Sequence, residues 1–391
     1  MEGKRGCSEC CPDECPGQGA CAQHFGDLMG GRPRRQSKLE EDLNHVDQNE
    51  ASASRLFLPK RIAAGMSRLE RVLSTANGNL QRIVSSWTNF PVSVRVCYNT
   101  RMSVEGHKYE RQVELICDNK VFGVADSIVT LTEPELIEAV ESKAVGIGQL
   151  FRQFDLLPHF QLLSICRGQK HNLVRRYILE SYGIICDITE NIDTGILPTP
   201  RDVVFPSVAS TAQRIPSVPN HYGDVMAGMD TAVSVNRKGL SPFERVLATA
   251  NGNVQRLLSS YLNEPVVVEI IDTGSLSSGG EDLDGWRYNR RVILSRVTAG
   301  DQENEALCDA QSVIVVKDAK VNQKLMNGEL EFGSSIFGAP GEQGSSLPRF
   351  KLLQLVRKDD VLPVLSRQYE LSTNDIMVTV SEEFHLKNIS T

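Results

Sequence analysis

The sequence predicts an α+β protein built from two tandem copies of one domain, and three observations carry that reading. The stretch from Ser67 to Trp87 returns in near copy as Ser241 to Tyr261. Leu157-Pro-His-Phe-Gln-Leu-Leu likewise returns as Leu347-Pro-Arg-Phe-Lys-Leu-Leu, so the duplication extends well past the first stretch. In both copies, apolar residues at helical spacing are followed by runs that alternate apolar and polar as strands do.

Each copy opens with Ser-x-x-Glu (Ser67 and Glu70; Ser241 and Glu244), a capping box that satisfies amides of a helix's first turn. Pro242 takes the favoured first helical position in the second copy. Leu69, Val72, Leu73 and Ala76, and in the second copy Phe243, Val246, Leu247 and Ala250, then follow at helical spacing. Next comes Asn-Gly, where Gly78 or Gly252 can take the left-handed conformation that ends a helix. Asn79 or Asn253 is placed to cap a second short helix carrying Leu80, Ile83, Val84 and Trp87, or Val254, Leu257, Leu258 and Tyr261. The start of that helix points free backbone amides at the space before it, a ready place for a carboxylate. An ordinary helical hairpin accounts for either copy taken alone.

The first copy continues with a strand from Phe90 to Cys97. A strand from Tyr109 to Cys117 joins one from Val121 to Thr130 through Asp118-Asn119, as a hairpin. A helix start follows at Thr132-Glu-Pro-Glu135, then Gly146 to Phe151, a strand-like Leu157 to Arg167, and a closing run from Gly183 to Ile192. The counterparts, with longer loops, are Glu264 to Ile270, Tyr288 to Ser295, Asp309 to Lys317, Phe332 to Phe337, Leu347 to Arg357 and Ile376 to Phe384. The domain plan is therefore a Cys-containing tail (1–60), copy 1 (61–192), a Pro- and Ser-rich connector (193–236) and copy 2 (237–391).

With 391 residues, 40% hydrophobic and 23% charged, the chain is long enough for two globular domains plus linkers. Its net charge of −7 argues against a broad nucleic-acid or anionic-membrane surface. No apolar run approaches the roughly 18 residues a spanning helix needs, so no membrane partner is expected. The N-terminus lacks the apolar core of a secretion signal, which makes a cytoplasmic location the default. Five of the ten cysteines (Cys7, Cys10, Cys11, Cys15 and Cys21) crowd the tail, with His24 nearby. Cys-x2-Cys is a metal spacing, yet no second pair follows, and a tail with free thiols and no metal is the preferred reading. Cys97, Cys117, Cys166, Cys186 and Cys308 fall mostly in apolar runs and read as small buried hydrophobes.

The chemistry shows as two violations of strand alternation. Tyr109, Val113 and Leu115 share a face with Arg111, and Tyr288, Val292 and Leu294 share one with Arg290. In the closing strands Glu190 sits on the face of Ile184, Cys186, Ile188 and Ile192, and Glu382 on that of Ile376, Val378, Val380 and Phe384. Buried unpaired charges are too costly to keep. Three readings follow: Arg111 bridges Glu190 and Arg290 bridges Glu382 as structural pairs; each pair lines a cavity and grips a ligand; or the register is otherwise and the charges are exposed.

The ordered series helix, Asn-Gly, helix, then Tyr-x-Arg opening a strand, then Ala-x-Ser (Ala125 and Ser127; Ala310 and Ser312), then Gly-Gln-Leu-Phe or Phe-Gly-Ser-Ser-Ile-Phe, then Thr-Glu or Ser-Glu in the last strand, resembles the chorismate-pyruvate lyase family. The resemblance covers both copies nearly end to end and leaves out the tail and connector. It implies two tandem chorismate lyase-like domains, each a mainly antiparallel sheet flanked by helices. It also implies an enclosed site without metal or organic cofactor, which splits chorismate into 4-hydroxybenzoate and pyruvate.

By position, the resemblance makes Arg111 and Arg290 the carboxylate-binding arginines and puts Glu190 and Glu382 at the phenolic end. Backbone amides of Leu80 or Val254, and of Ile147 or Phe332, would help to hold the ligand carboxylate. The partner implied is a small carboxylated ring, and the tandem arrangement implies a pseudo-dimer within one chain. Two further function classes stand beside the lyase: a non-catalytic binder of small aromatic acids, and a secondary-metabolism enzyme that runs another non-redox elimination or isomerisation in the same pocket.

Overall fold

The computed structural model describes residues 58, 60–78, 80–102, 106–142, 147–168, 171–198, 240–277, 285–297, 304–327, 347–358 and 363–390. The cysteine cluster of the tail, Asn79, Phe332 and most of the connector lie outside these residues.

In the first half, α1 (Lys60–Ala63), α2 (Arg68–Ser74) and α3 (Leu80–Thr88) lead into β1 (Val92–Arg101), β2 (His107–Cys117) and β3 (Lys120–Leu131). After α4 (Pro134–Ser142) and α5 (Ile147–Gln153) come β4 (His159–Arg167), β5 (Asn172–Ser181) and β6 (Ile184–Asp193). The second half has α6 (Pro242–Thr249), α7 (Val254–Leu262), β7 (Val266–Ser277), β8 (Trp286–Arg296) and β9 (Glu305–Val316). It closes with α8 (Ala319–Met326), β10 (Arg349–Lys358), β11 (Val364–Ser372), β12 (Ile376–His385) and α9 (Leu386–Ser390). The result is α+β: two six-stranded antiparallel sheets with helices. Strand order is β1-β2-β3-β6-β5-β4 in one sheet and β10-β11-β12-β9-β8-β7 in the other, the same order met from the opposite edge.

Local signals account for most element ends. Both capping boxes form: Ser67 Oγ accepts from Glu70 N at 3.2 Å while Glu70 Oε2 accepts from Ser67 N at 2.6 Å, and Ser241 and Glu244 repeat this at 3.3 and 2.7 Å. Gly78 and Gly252 take φ of 87° and 95°, the left-handed turn out of the first helix. The side-chain cap expected of Asn253 is absent. Its backbone is itself left-handed at φ 58° and its side chain makes no cap hydrogen bond, since an N-cap oxygen reaches the following amides from extended backbone. Asp118 and Asn119 both carry positive φ (49° and 60°), as a two-residue hairpin turn requires.

Two strands escape the alternation reading altogether. In β5, Arg175, Arg176 and Glu180 interrupt the apolar pattern, and in β11 Arg367, Gln368 and Glu370 do the same. Leu58, on the tail side of the boundary drawn at residue 60, is 4% exposed and belongs to the core. Thr194, at the start of the connector, donates to His171 O at 3.0 Å and to Glu70 Oε1 at 3.4 Å, tying that end to copy 1. Among the described residues, no helix is long and apolar enough to cross a membrane.

Of the five cysteines in the two sheets, Cys117, Cys186 and Cys308 are buried and Cys166 is half-buried, but Cys97 is exposed, because edge strand β1 turns that side chain to solvent. Burial pushes the thiols of Cys117, Cys186 and Cys308 above their ordinary pKa, which depletes the reactive thiolate. Iodoacetamide at pH 8 should therefore leave these three unmodified in the folded chain and label them only after denaturation, as peptide mass spectrometry would show.

The helices of the two halves pack on one another, α3 against α6 and α2 against α7. One apolar core runs through the contact, with Val72, Leu73, Val84, Leu247 and Leu258 fully buried. The polar contacts are reciprocal. Arg71 donates to Ser260 O at 3.2 Å and Tyr261 O at 2.7 Å; Arg245 donates to Ser86 O at 2.8 Å and Trp87 O at 2.6 Å. Thr75 meets Ser260, and Ser86 meets Thr249, each hydroxyl pair at 2.5 Å. The exchange reaches the sheets: Arg82 of α3 lies over Phe350 of β10 (5.8 Å), and Arg256 of α7 over Phe160 of β4 (5.9 Å).

Candidate functional site

Antiparallel register sets the candidate residues in rows across each sheet. Arg111 on β2 stands opposite Ser127, Ser127 opposite Ile188, and Ile188 opposite Tyr177. The adjoining row on the same face is Val113, Ala125, Glu190 and Arg175. The second sheet repeats both rows, as Arg290, Ser312, Val380 and Tyr369 and as Val292, Ala310, Glu382 and Arg367. The charges face inward as alternation requires: Arg111 is 2% exposed, Glu190 6% and Glu382 5%. Arg290 is half-buried.

The partner of each glutamate differs from the bridge considered from sequence. Arg175 Nε donates to Glu190 Oε2 at 2.6 Å, and Tyr177 Oη donates to Glu190 Oε1 at 2.9 Å. Arg175 Nη1 also donates to Leu73 O (2.8 Å) and Ala76 O (2.5 Å), the carbonyls that end α2. In the second half Arg367 Nε donates to Glu382 Oε2 at 2.6 Å and Tyr369 Oη to Glu382 Oε1 at 3.0 Å. Arg367 Nη1 completes the match by donating to Leu247 O (2.7 Å) and to Ala250 O. Register is the cause: Glu190 lies directly across from Arg175 on the neighbouring strand, whereas Arg111 is two strands away and one row along. The signal that could have found these residues is Leu-x-Arg-x-Tyr-x-Leu, present as Leu173, Arg175, Tyr177 and Leu179 and again as Leu365, Arg367, Tyr369 and Leu371.

A cavity of about 70 Å³ opens over this face in the first half. Leu80, Arg111, Ile147 and Glu190 all line it, together with Arg175 and Tyr177, and Val94, Val113, Leu115, Leu179 and Ile188 make its apolar wall. Leu80 arrives at the start of α3 and Ile147 at the start of α5, so two helix starts meet one sheet face there. In the second half Val254 begins α7 and is buried, as is Glu382.

Burial dominates the electrostatics. It lowers the Arg111 guanidinium from its ordinary value, the mark of a cation moved out of water. Burial acts in the same direction on Arg175 but is outweighed by the charge of Glu190, so the guanidinium ends above its ordinary value. The Tyr177 hydroxyl is held well above its ordinary value, first by burial and then by Glu190, and remains a donor. Tyr369 is raised in the same way beside Glu382. His159 on β4 is exposed and away from this cluster. Among the described residues, no group of three or more His, Cys, Asp or Glu side chains is placed to hold a metal ion.

Compared with known proteins, the chain matches no family model and no curated protein.

Proposed function

We propose that the first copy takes a small carboxylated ring into this cavity and acts as a cofactor-free lyase, eliminating pyruvate from chorismate, or from a related ring, to leave 4-hydroxybenzoate or its counterpart. One observation supports this above the rest. Leu80, Arg111, Ile147 and Glu190, four residues distant in sequence, border a single apolar-walled cavity. In this reading Arg111 grips the ring carboxylate through its planar fork, with the amides of Leu80 and Ile147 beside it. The C3–O bond then breaks as the C4 hydrogen passes to the methylene carbon of the departing enolpyruvyl group, which leaves as pyruvate, and aromatisation drives the step. Confinement in a reactive pose supplies much of the acceleration. Glu190 has both oxygens engaged by Arg175 and Tyr177, so its part is to set the polar end of the cavity. The second copy, with Arg290, Val254, Phe332 and Glu382 in the matching places, is proposed as a second site, and the reciprocal helix contacts support reading the chain as a pseudo-dimer.

A second reading rests on that same engagement of Glu190: a carboxylate already holding two donors is poorly placed to take a proton, which favours a non-catalytic binder of small aromatic acids. The test is to incubate the chain with chorismate and follow pyruvate and 4-hydroxybenzoate. Arg111→Ala is expected to lower kcat/KM about 100-fold or more, as loss of a charge-assisted anchor implies. Binding of 4-hydroxybenzoate without turnover would select the binder; neither binding nor turnover would remove both readings.

A further inference from the structure

We propose that Arg256, a residue of the second copy, is a positioning residue of the first copy's cavity, holding Tyr177 in place through the ring of Phe160. Its effect on ligand binding rests on the reading of that cavity as a site for carboxylated rings; its effect on Tyr177 does not.

The contacts form a line from one half into the other. Arg256 on α7 lies with its guanidinium 5.9 Å from the centre of the Phe160 ring. Phe160 packs on Tyr177 with ring centres 5.2 Å apart and planes tilted by 39°. Tyr177 borders the cavity and donates to Glu190 Oε1 at 2.9 Å. The second half holds the same line in the reverse direction. Arg82 of α3 is 5.8 Å from the Phe350 ring, Phe350 is 5.2 Å from Tyr369 at a tilt of 35°, and Tyr369 donates to Glu382 Oε1 at 3.0 Å. Two copies that differ at His159 and Arg349, next to these phenylalanines, agree step by step.

Topology gives the reason for support from outside the sheet. β4 and β10 are edge strands, so Phe160 and Phe350 each have a neighbouring strand on one side, and the arginine of the other half supplies a contact that the sheet does not. Charge counts here as well as bulk. Burial lowers the Arg256 guanidinium from its ordinary value, and the face of an aromatic ring attracts a cation drawn out of water. A second contact from the same half reaches the same cluster. Leu347 is 6% exposed and belongs to the apolar core of Tyr109, Tyr177 and Ile188, and its N–H donates to Asp155 Oδ1 at 3.1 Å, just past α5, whose start lines the cavity. Displacing Tyr177 moves a wall of the cavity and the donor on Glu190 together.

The experiment follows Tyr177 directly. In the full chain with ring-13C-labelled tyrosine, the Tyr177 NMR signal is identified by its loss in Tyr177→Phe. Arg256→Met and Arg256→Gln, which keep bulk and lose charge, should move that signal, while Arg256→Lys should leave it near its wild-type position. In calorimetric titration with 4-hydroxybenzoate, the two uncharged variants should bind about three- to tenfold more weakly, against under about twofold for Arg256→Lys. With Phe160→Leu already present, Arg256→Met should add no further loss, and losses that add would overturn the proposal. A Tyr177 signal unmoved by the uncharged variants, or moved equally by Arg256→Lys, would reduce Arg256 to packing between the halves and overturn it as well. So would a moved signal with unchanged 4-hydroxybenzoate affinity. If the wild-type chain binds no 4-hydroxybenzoate while the signal still moves, the ring-carboxylate reading falls and the positioning of Tyr177 by Arg256 stands.

Discussion

Glu190→Ala should destabilise the chain by on the order of 3–5 kcal/mol, the cost of leaving a fully buried cation without its counter-charge. Arg175 has no exposed surface on which to rehydrate, and its Nη1 stays tied to Leu73 O and Ala76 O at the end of α2. The substitution therefore strands the charge and also loosens the clamp between sheet and helix. Glu382→Ala should cost about as much, because Arg367 is equally buried and holds Leu247 O and Ala250 O. Removing both charges together, with Arg175→Met and Glu190→Leu, should cost far less than Glu190→Ala alone, since no unpaired ion remains. Arg176 and Asp187 provide the contrast. They pair at 2.6 Å with side chains 52% and 32% exposed, and Arg176→Ala should cost under about 1 kcal/mol. Urea unfolding of the four variants decides the matter; a Glu190→Ala effect no larger than that of Arg176→Ala would show that the cluster is not a buried charge pair in solution.

Arg245→Ala should be the most damaging single change at the contact between the halves, with a loss on the order of 2–4 kcal/mol. Arg245 is 7% exposed and satisfies Leu240 O in its own half together with Ser86 O and Trp87 O in the other. Those last two carbonyls lie in the final turn of α3, where helix carbonyls lack partners within the helix and the macrodipole favours a cation. Arg71 makes the mirror set, to Met66 O, Ser260 O and Tyr261 O, but is only half-buried, so Arg71→Ala should cost less. The double variant should exceed either single one and separate unfolding into two steps, one for each half, visible by calorimetry. A single sharp transition at unchanged midpoint would mean that the apolar core alone joins the halves.

Much of the fold could be read from residues that act locally. The capping boxes at Ser67 and Ser241, the left-handed glycines Gly78 and Gly252 and the hairpin at Asp118-Asn119 depend on neighbours within four positions, and all formed. Inward placement of Arg111, Glu190 and Glu382 followed from the period of two in a strand, which needs no knowledge of the neighbouring strand. β5 and β11 were lost because the same arginines that serve the buried cluster break the apolar alternation by which a strand is recognised. Asn253 misled for a related reason: asparagine suits both an N-cap and a left-handed turn, and the backbone chose the turn.

The sequence by itself determined the duplication, most of the helices and strands in each half, and the inward placement of Arg111, Glu190 and Glu382, because these follow from repeated residues and from short-range backbone chemistry. Only the tertiary structure decided who meets whom. Pairing of β5 with β6 gave Glu190 to Arg175 instead of Arg111, and packing of α2 and α3 on α6 and α7 sent arginines of each half to carbonyls of the other. Such partners are set by strand register and helix docking, which depend on contacts between residues far apart in the chain and leave no periodic trace along it.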